Sequence, residues 1–262
     1  MVMPFEELIQ IMSTLRNPDK GCPWDLEQTH SSLKGSLLEE VYELLDALDA
    51  KEKEGIIEEL GDLLLQVVFH AQIGKDSGVF DIDQVIRKLN EKLVRRHPHV
   101  FGEQPVGTAS EVLGQWEELK AKERKAKGEQ NKSMLSGVST AMPALAYAYS
   151  VIGRARRAGF QWDKSEDAFQ KVSEEIEEFE KAESSVREIE EFGDILLALV
   201  GVAHEKNIDP ELALRSANSR FFSRFSSIEV YAREKNIKFT ELTSEQKLVL
   251  WEQAKDFEKQ VK

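Results

Sequence analysis

Cysteine is nearly absent from this chain. Cys22 stands alone, so no intrachain disulfide can form and nothing points to an oxidising compartment; the residue reads best as a small buried hydrophobe. Long apolar runs are missing too. The longest stretch, around Ile195 to Ala203, is far shorter than the roughly 20 residues of a membrane-spanning helix. The first residues, through Met12, carry Glu6 and Glu7 and lack the basic start and unbroken apolar stretch of a secretory signal. A soluble cytoplasmic protein with no membrane partner is expected. Positive charge is also short: a formal net charge of -13 excludes general affinity for nucleic acid backbones, and a phosphate ligand needs local cations or a metal ion.

Alternation of apolar and polar residues, the mark of a half-buried strand, is lacking as well. Helical spacing is there instead. Val41, Leu44, Leu45 and Leu48 share one side of a helix; Ile56, Leu60, Leu64, Val67 and Ala71 form a second stripe, and Val172, Ile176 and Phe179 a third. Pro4, Pro18, Pro23, Pro98, Pro105, Pro143 and Pro210 fall where helices would start, stop or loop, which leaves the periodic segments whole. The fold class expected is all-α, and 262 residues suffice for two compact domains.

The chain repeats itself. Glu39-Glu40-Val41-Tyr42-Glu43 followed by Glu59-Leu60-Gly61-Asp62 returns as Glu174-Glu175-Ile176-Glu177-Glu178 followed by Glu191-Phe192-Gly193-Asp194. Upstream, Gly21-Cys22-Pro23-Trp24-Asp25 answers Gly159-Phe160-Gln161-Trp162-Asp163; downstream, Asn90, Lys92, Leu93 and Arg96 answer Asn218, Arg220, Phe221 and Arg224. Signatures in one order at so long a period mean duplicated domains rather than a solenoid. The charged stretch 120–132, with little apolar surface to bury, is the linker expected after a helix containing Val112, Leu113 and Trp116. It separates domains at 1–130 and 131–262, each a small helical bundle.

Residues three or four apart share a helix face, so Glu175 and Glu178 project together and so do Glu191 and Asp194. If these two helices are antiparallel neighbours, four carboxylates converge while Val172, Ile176, Phe179, Phe192 and Leu199 turn to the core. Like charges so close raise one another's pKa and destabilise the fold unless a cation neutralises them. Oxygen-only ligands suit Mg²⁺ or Mn²⁺. A single acidic pair is weak evidence, since a solvated helix face looks the same; recurrence of both pairs favours a site. Gly61 and Gly193, each costing about 1 kcal/mol against alanine inside a helix, suggest helices in close approach. Arg220 and Arg224 share a face suited to phosphate oxygens, opposite a buried side of Leu214, Phe221, Phe225 and Ile228, and Lys171 falls four residues before Glu175. Trp24 and Trp162 read as core aromatics, Trp251 as packing or a base platform, and His97 and His99 as capping or packing residues.

Together these motifs, with Arg95-Arg96-His97-Pro98-His99-Val100-Phe101 and the run from Asn218 to Phe225, resemble the two-domain MazG nucleoside triphosphate pyrophosphohydrolases over essentially the whole length. The resemblance implies an all-α, usually dimeric enzyme that uses Mg²⁺ to split a nucleoside triphosphate between the α and β phosphates. It puts metal ligands on Glu175, Glu178, Glu191 and Asp194, and nucleotide contacts on Arg220, Arg224 and Trp251, with Lys171, Arg187 and Glu190 beside them. Arg220 stands where many relatives have lysine. The N-terminal copy matches at Glu40, Glu43, Glu59, Asp62, Lys92 and Arg96, as a second site or a retained scaffold.

The chemistry expected is metal-assisted attack of water, with Glu174 or Glu175 as general base and the arginines offsetting phosphate charge. A di-iron bundle needs histidine three residues after glutamate on two helices; Glu27 and His30 give that spacing, outside the carboxylate helices. The remaining alternative is a non-catalytic acidic scaffold that binds a protein partner.

Overall fold

The computed structural model describes residues 3–102, 133–161 and 164–261, with 108, 111, 112, 119, 123, 125 and 128 between them. Leu113, Trp116, Trp162, Asp163 and most of the expected linker at 120–132 lie outside the described residues. The chain divides into two compact units, Met1–Gly128 and Glu129–Lys262. Every regular element among the described residues is helical.

The N-terminal unit is built from α1 (Pro4–Leu15), α2 (Pro23–Glu27), α3 (Lys34–Ala50), α4 (Lys53–Asp76), α5 (Ile82–Arg96) and the short α6 (Pro98–Phe101). Pro4, Pro23 and Pro98 open helices at the position where proline's missing N–H costs nothing. The repeated glycine before the aromatic signature has a steric reason in this copy: a Cβ on Gly21 would collide with the carbonyls of Leu15 and Asn17. Asp81 caps α5 by accepting from the Gln84 amide at 2.8 Å, which fixes the start of the helix that carries Lys92 and Arg96. Helices α3 and α4 pack along one another, with α1 and α5 against α4. Met12, Leu33, Val68, Phe69 and Ile73 form the core. Truncating Leu33 to alanine would cost about 2–5 kcal/mol.

The C-terminal unit holds α7 (Ala144–Arg157), α8 (Ser165–Glu180), α9 (Ser185–Glu205), α10 (Pro210–Glu234), a 3₁₀ turn (Phe239–Glu241) and α11 (Ser244–Val261). Ser184 caps α9 by accepting from the Arg187 amide at 3.4 Å, and Asp209 caps α10 by accepting from the Leu212 amide at 3.0 Å. Helix α9 lies along α8 and also packs on α7; α10 packs on α7 and α11. His204 donates from Nε2 to the Tyr149 carbonyl, 2.6 Å away, and stacks on the Tyr149 ring, tying α9 to α7.

The apolar stripes do not all face inward. Ile176, Phe179, Phe192 and Leu199 were expected in the core and are exposed, as are Val41, Leu48, Leu60, Leu64 and Val67 in the other unit. On α9 the buried side is Glu191, Ala198, Val200, Gly201 and Ala203. Leu214 and Phe221 are exposed while Ile228 is buried, so the inner side of α10 lies toward its C-terminal half. The close approach inferred at Gly61 and Gly193 is not found within either unit, because a Cβ at either position would meet nothing within 4 Å. Trp24 packs edge-on to Phe69 at 6.4 Å yet stays more than half exposed, at the rim of the core rather than inside it.

Candidate active site

Helices α8 and α9 bring together Glu175, Glu178 and Glu191, with carboxylate oxygens all within 4.8 Å of one another. Two of them are buried, Glu175 with 7% of its surface exposed and Glu191 with 3%; Glu178 faces outward. Buried carboxylates need counter-charge, and each finds it one helical turn earlier. Lys171 Nζ lies 2.7 Å from Glu175 Oε1 and 3.7 Å from Glu174. Arg187 lies 2.5 Å from Glu191 and 3.2 Å from Glu190. The hydrogen bond to Glu175 is the main reason the Lys171 ammonium titrates above its usual range. Glu174 is exposed and accepts from Gln170 Nε2 at 3.1 Å.

Asp194 stands outside the group of three. It lines, with Lys171 and Glu175, an open cavity of about 920 Å³ whose other walls are almost wholly apolar, including Leu135, Val151, Ile152, Phe160 and Ala198. The cavity was not legible in the sequence, because its walls come from α7, α8, α9 and the loops beside them, and spacing along one helix says nothing of the space between three.

Arg220 and Arg224 lie on α10 and Trp251 on α11. Arg220 donates to Ser216 Oγ at 2.6 Å. The Arg224 guanidinium lies over the Trp251 ring at 5.7 Å, and that ring meets Phe221 at 5.1 Å. Phe221 and Arg224 thus serve the same aromatic cluster rather than opposite sides of α10. This group belongs to the packing of α10 with α11, whereas the carboxylates belong to α8 and α9.

The N-terminal copy repeats the triad: Glu40, Glu43 and Glu59 also lie within 4.8 Å of one another. Here the cations are missing, since Ser36 and Gly55 occupy the registers of Lys171 and Arg187. Glu40 is pushed above the usual carboxylate range, first by burial and then by the charge of Asp62. Glu59 is raised by burial, then by Glu43 and Asp62. Gln66 Nε2 approaches Glu40 Oε1 at 3.5 Å. Arg96 is held by Glu123 through two bonds of 3.2 and 2.7 Å, with Arg95 at 2.8 Å from the same carboxylate. These contacts hold Glu123 down at about 2, Arg96's hydrogen bond being the largest cause. Lys92 is exposed. His97 fills its expected capping place at the end of α5, where it meets the Leu93 carbonyl. Gln66 and Glu123 are the residues the sequence reading passed over. A lone amide within the stripe Leu64, Leu65, Val67 and Val68 was the available signal for the first, and Glu123 stands as far after Arg96 as Trp251 after Arg224.

Among the described residues no helix is long and apolar enough to cross a membrane. The acidic triads are chemically able to hold a metal ion: all-oxygen donor sets at this spacing suit a hard divalent cation.

Known proteins resemble this chain along its length. The MazG nucleotide pyrophosphohydrolase domain matches residues 28–101. A Thermotoga maritima protein named nucleoside triphosphate pyrophosphohydrolase/pyrophosphatase MazG is 45% identical over 251 residues, covering 96% of this chain and 95% of the relative. The nucleoside triphosphate pyrophosphohydrolase of Escherichia coli K12 is 38% identical over 255 residues, covering 95% and 96%. Bacillus subtilis YabN, an uncharacterized protein, is 44% identical over 259 residues, covering 97% of this chain and 52% of its own length.

Proposed function

Because the chain belongs to the MazG nucleoside triphosphate pyrophosphohydrolase family, we propose that it hydrolyses nucleoside triphosphates between the α and β phosphates, releasing the monophosphate and pyrophosphate in the cytoplasm. The observation that carries the C-terminal unit as the catalytic one is the pairing of buried Glu175 and Glu191 beside a large apolar cavity. Glu175, Glu178, Glu191 and Asp194 would hold Mg²⁺, or Mn²⁺ in its place, which supplies charge neutralisation at the phosphates and a more acidic water.

The chain's own residues supply the rest. Lys171 and Arg187, which neutralise Glu175 and Glu191 in the free protein, would be free to turn to phosphate oxygens where those carboxylates hold the ion. Their charge is thereby stored beside the place where the substrate's negative charge arrives. Glu174, exposed and one residue from the cluster, accepts the proton of the attacking water, with Glu175 as the other candidate base. The nucleoside is sheltered by the apolar cavity, where an aromatic base displaces water from Val151, Ile152 and Phe160. Arg220, Arg224 and Trp251, from α10 and α11, are the further nucleotide contacts proposed, and Glu190 stands beside Arg187 on α9.

A second copy of the chain finishes the site. Ile189, Phe192, Leu196 and Leu199 leave α9 with an apolar seam exposed next to buried carboxylates, and Gly193 in that seam leaves room for a facing helix. Such a face is stable in water when another apolar face covers it. On this reading the protein acts as a homodimer, with domains proposed at 1–130 and 131–262.

Glu175→Ala and Asp194→Ala test the assignment. Each is expected to reduce Mg²⁺-dependent pyrophosphate release by at least about 100-fold while helical circular dichroism is retained. Full activity in both variants would move the reaction away from this site.

A further inference from the structure

The cavity of the C-terminal unit joins two unlike linings. Lys171, Glu175 and Asp194 supply its charged groups, and the rest of the wall is almost wholly apolar. Three of the apolar residues that line it are also open to solvent: Met134 is 62% exposed, Leu135 40% and Phe160 83%. Single exposed apolar side chains are ordinary, but large ones gathered on one cavity mark a binding surface. None of the three lies within a helix; they sit before and after α7.

The backbone under them is fixed before any ligand arrives. The Ser136 amide donates to the Ser133 carbonyl at 2.9 Å and the Leu135 amide to Ser133 Oγ at 3.2 Å, which closes a turn on itself. Arg154 of α7 then holds that turn, donating to the carbonyls of Ser136 and Gly137, the second at 3.1 Å. Gly137 has a φ of 84°, a left-handed conformation that favours glycine, and a planar fork of donors is suited to meeting two successive carbonyls. After α7, the Phe160 amide donates to the Ala155 carbonyl at 3.0 Å behind Gly159, whose φ is 92°. Helix α7 thus fixes both attachments. Counted from the aromatic signature, the N-terminal counterpart of Arg154 is Arg16, which pairs with Asp76 at 2.6 Å and lies over the Phe69 ring of that unit's core. The same arginine packs a core in one unit and holds a cavity wall in the other.

We infer that the turn Ser133–Gly137, positioned by Arg154, is an apolar strap that binds the nucleoside, and that Met134, Leu135 and Phe160 select a nucleoside triphosphate over a bare polyphosphate. The inference rests on the pyrophosphohydrolase reading of this unit. A ligand that fits the whole cavity carries a polyanion for the part lined by Lys171, Glu175 and Asp194 and an uncharged, flat body for the remainder. A nucleobase has such a body. Its face can pack on the Phe160 ring and on the Met134 thioether, both of which favour aromatic partners, while Leu135 loses water to it. Arg154 is a positioning residue: it acts through the two carbonyls it holds.

Equilibrium binding to the full chain in Mg²⁺ tests this with two probes, an α,β-methylene nucleoside triphosphate and the imido analogue of inorganic tripolyphosphate. Leu135→Ser should weaken the nucleotide probe by about 5–10-fold and leave the polyphosphate probe as it was. Arg154→Ala should act in the same direction, because the strap is no longer held in place before binding, and in turnover it should raise KM far more than it lowers kcat. Equal weakening of both probes, or unchanged nucleotide affinity in Leu135→Ser, would overturn the inference. So would dissociation of a dimer by Leu135→Ser in sedimentation, which would give the strap to a second copy. Failure of the pyrophosphohydrolase reading has a different signature: no nucleotide turnover by the unaltered chain, whatever the two probes show.

Discussion

At the scale of single residues, the site is defined by how buried charge is balanced. Glu175 is buried and its partner is the half-exposed Lys171, so Lys171→Met leaves a carboxylate without its cation. We expect a loss of about 1–2 kcal/mol of stability in chelator, recovered when Mg²⁺ is added, as read by thermal melting. No recovery would mean that no cation replaces the ammonium. Glu123 gives a pH prediction. Its folded pKa of about 2 lies below the ordinary glutamate value of about 4.3, so its ion pairs stabilise the N-terminal unit above that ordinary value and are lost as pH falls from there toward 2. The difference in melting temperature between the unaltered chain and Glu123→Gln should hold at neutral pH and vanish across that acidic window. A constant difference would sever Glu123 from the arginines. Of these residues the acidic pairs were legible in the sequence, because i and i+3 positions fix a shared helix face. Gln66 and Glu123 were not, because their roles depend on partners on other helices.

At the scale of elements, helical periodicity told where helices run and told less about what covers them. The third stripe, Ile176 and Phe179, has the spacing of a core face and is exposed, because a period of 3.6 identifies a common side without naming the neighbour it meets. The repeated glycine leaves a gap on α9 with nothing in it, and in the proposed dimer that gap belongs to the face a second copy covers. Gly193→Leu should fold as well as the unaltered chain, since leucine favours helix over glycine by roughly 0.5–1 kcal/mol and a Cβ at this position has nothing within 4 Å. In sedimentation it should run as a monomer with impaired turnover. A dimer of unchanged affinity would place the interface elsewhere.

At the scale of the whole molecule, duplication has given two acidic triads of the same geometry in different surroundings. The C-terminal triad carries its own cations and has a cavity beside Glu175; the N-terminal triad has Ser36 and Gly55 in the registers of those cations. The repeat was plain in the sequence and the divergence was not, since Ala198 and Gln66 differ by one side chain whose effect appears only once three helices are assembled. Removing divalent cations should lower thermal stability, a site filled at 100 times its Kd contributing about 2.7 kcal/mol; equal melting with Mg²⁺ and with chelator would argue against cation binding. The central claim is the position of the broken bond, and phosphorus NMR of a nucleoside triphosphate incubated with the full chain and Mg²⁺ reads it directly. Monophosphate and pyrophosphate appearing together are the expected products. Diphosphate and orthophosphate would contradict the account.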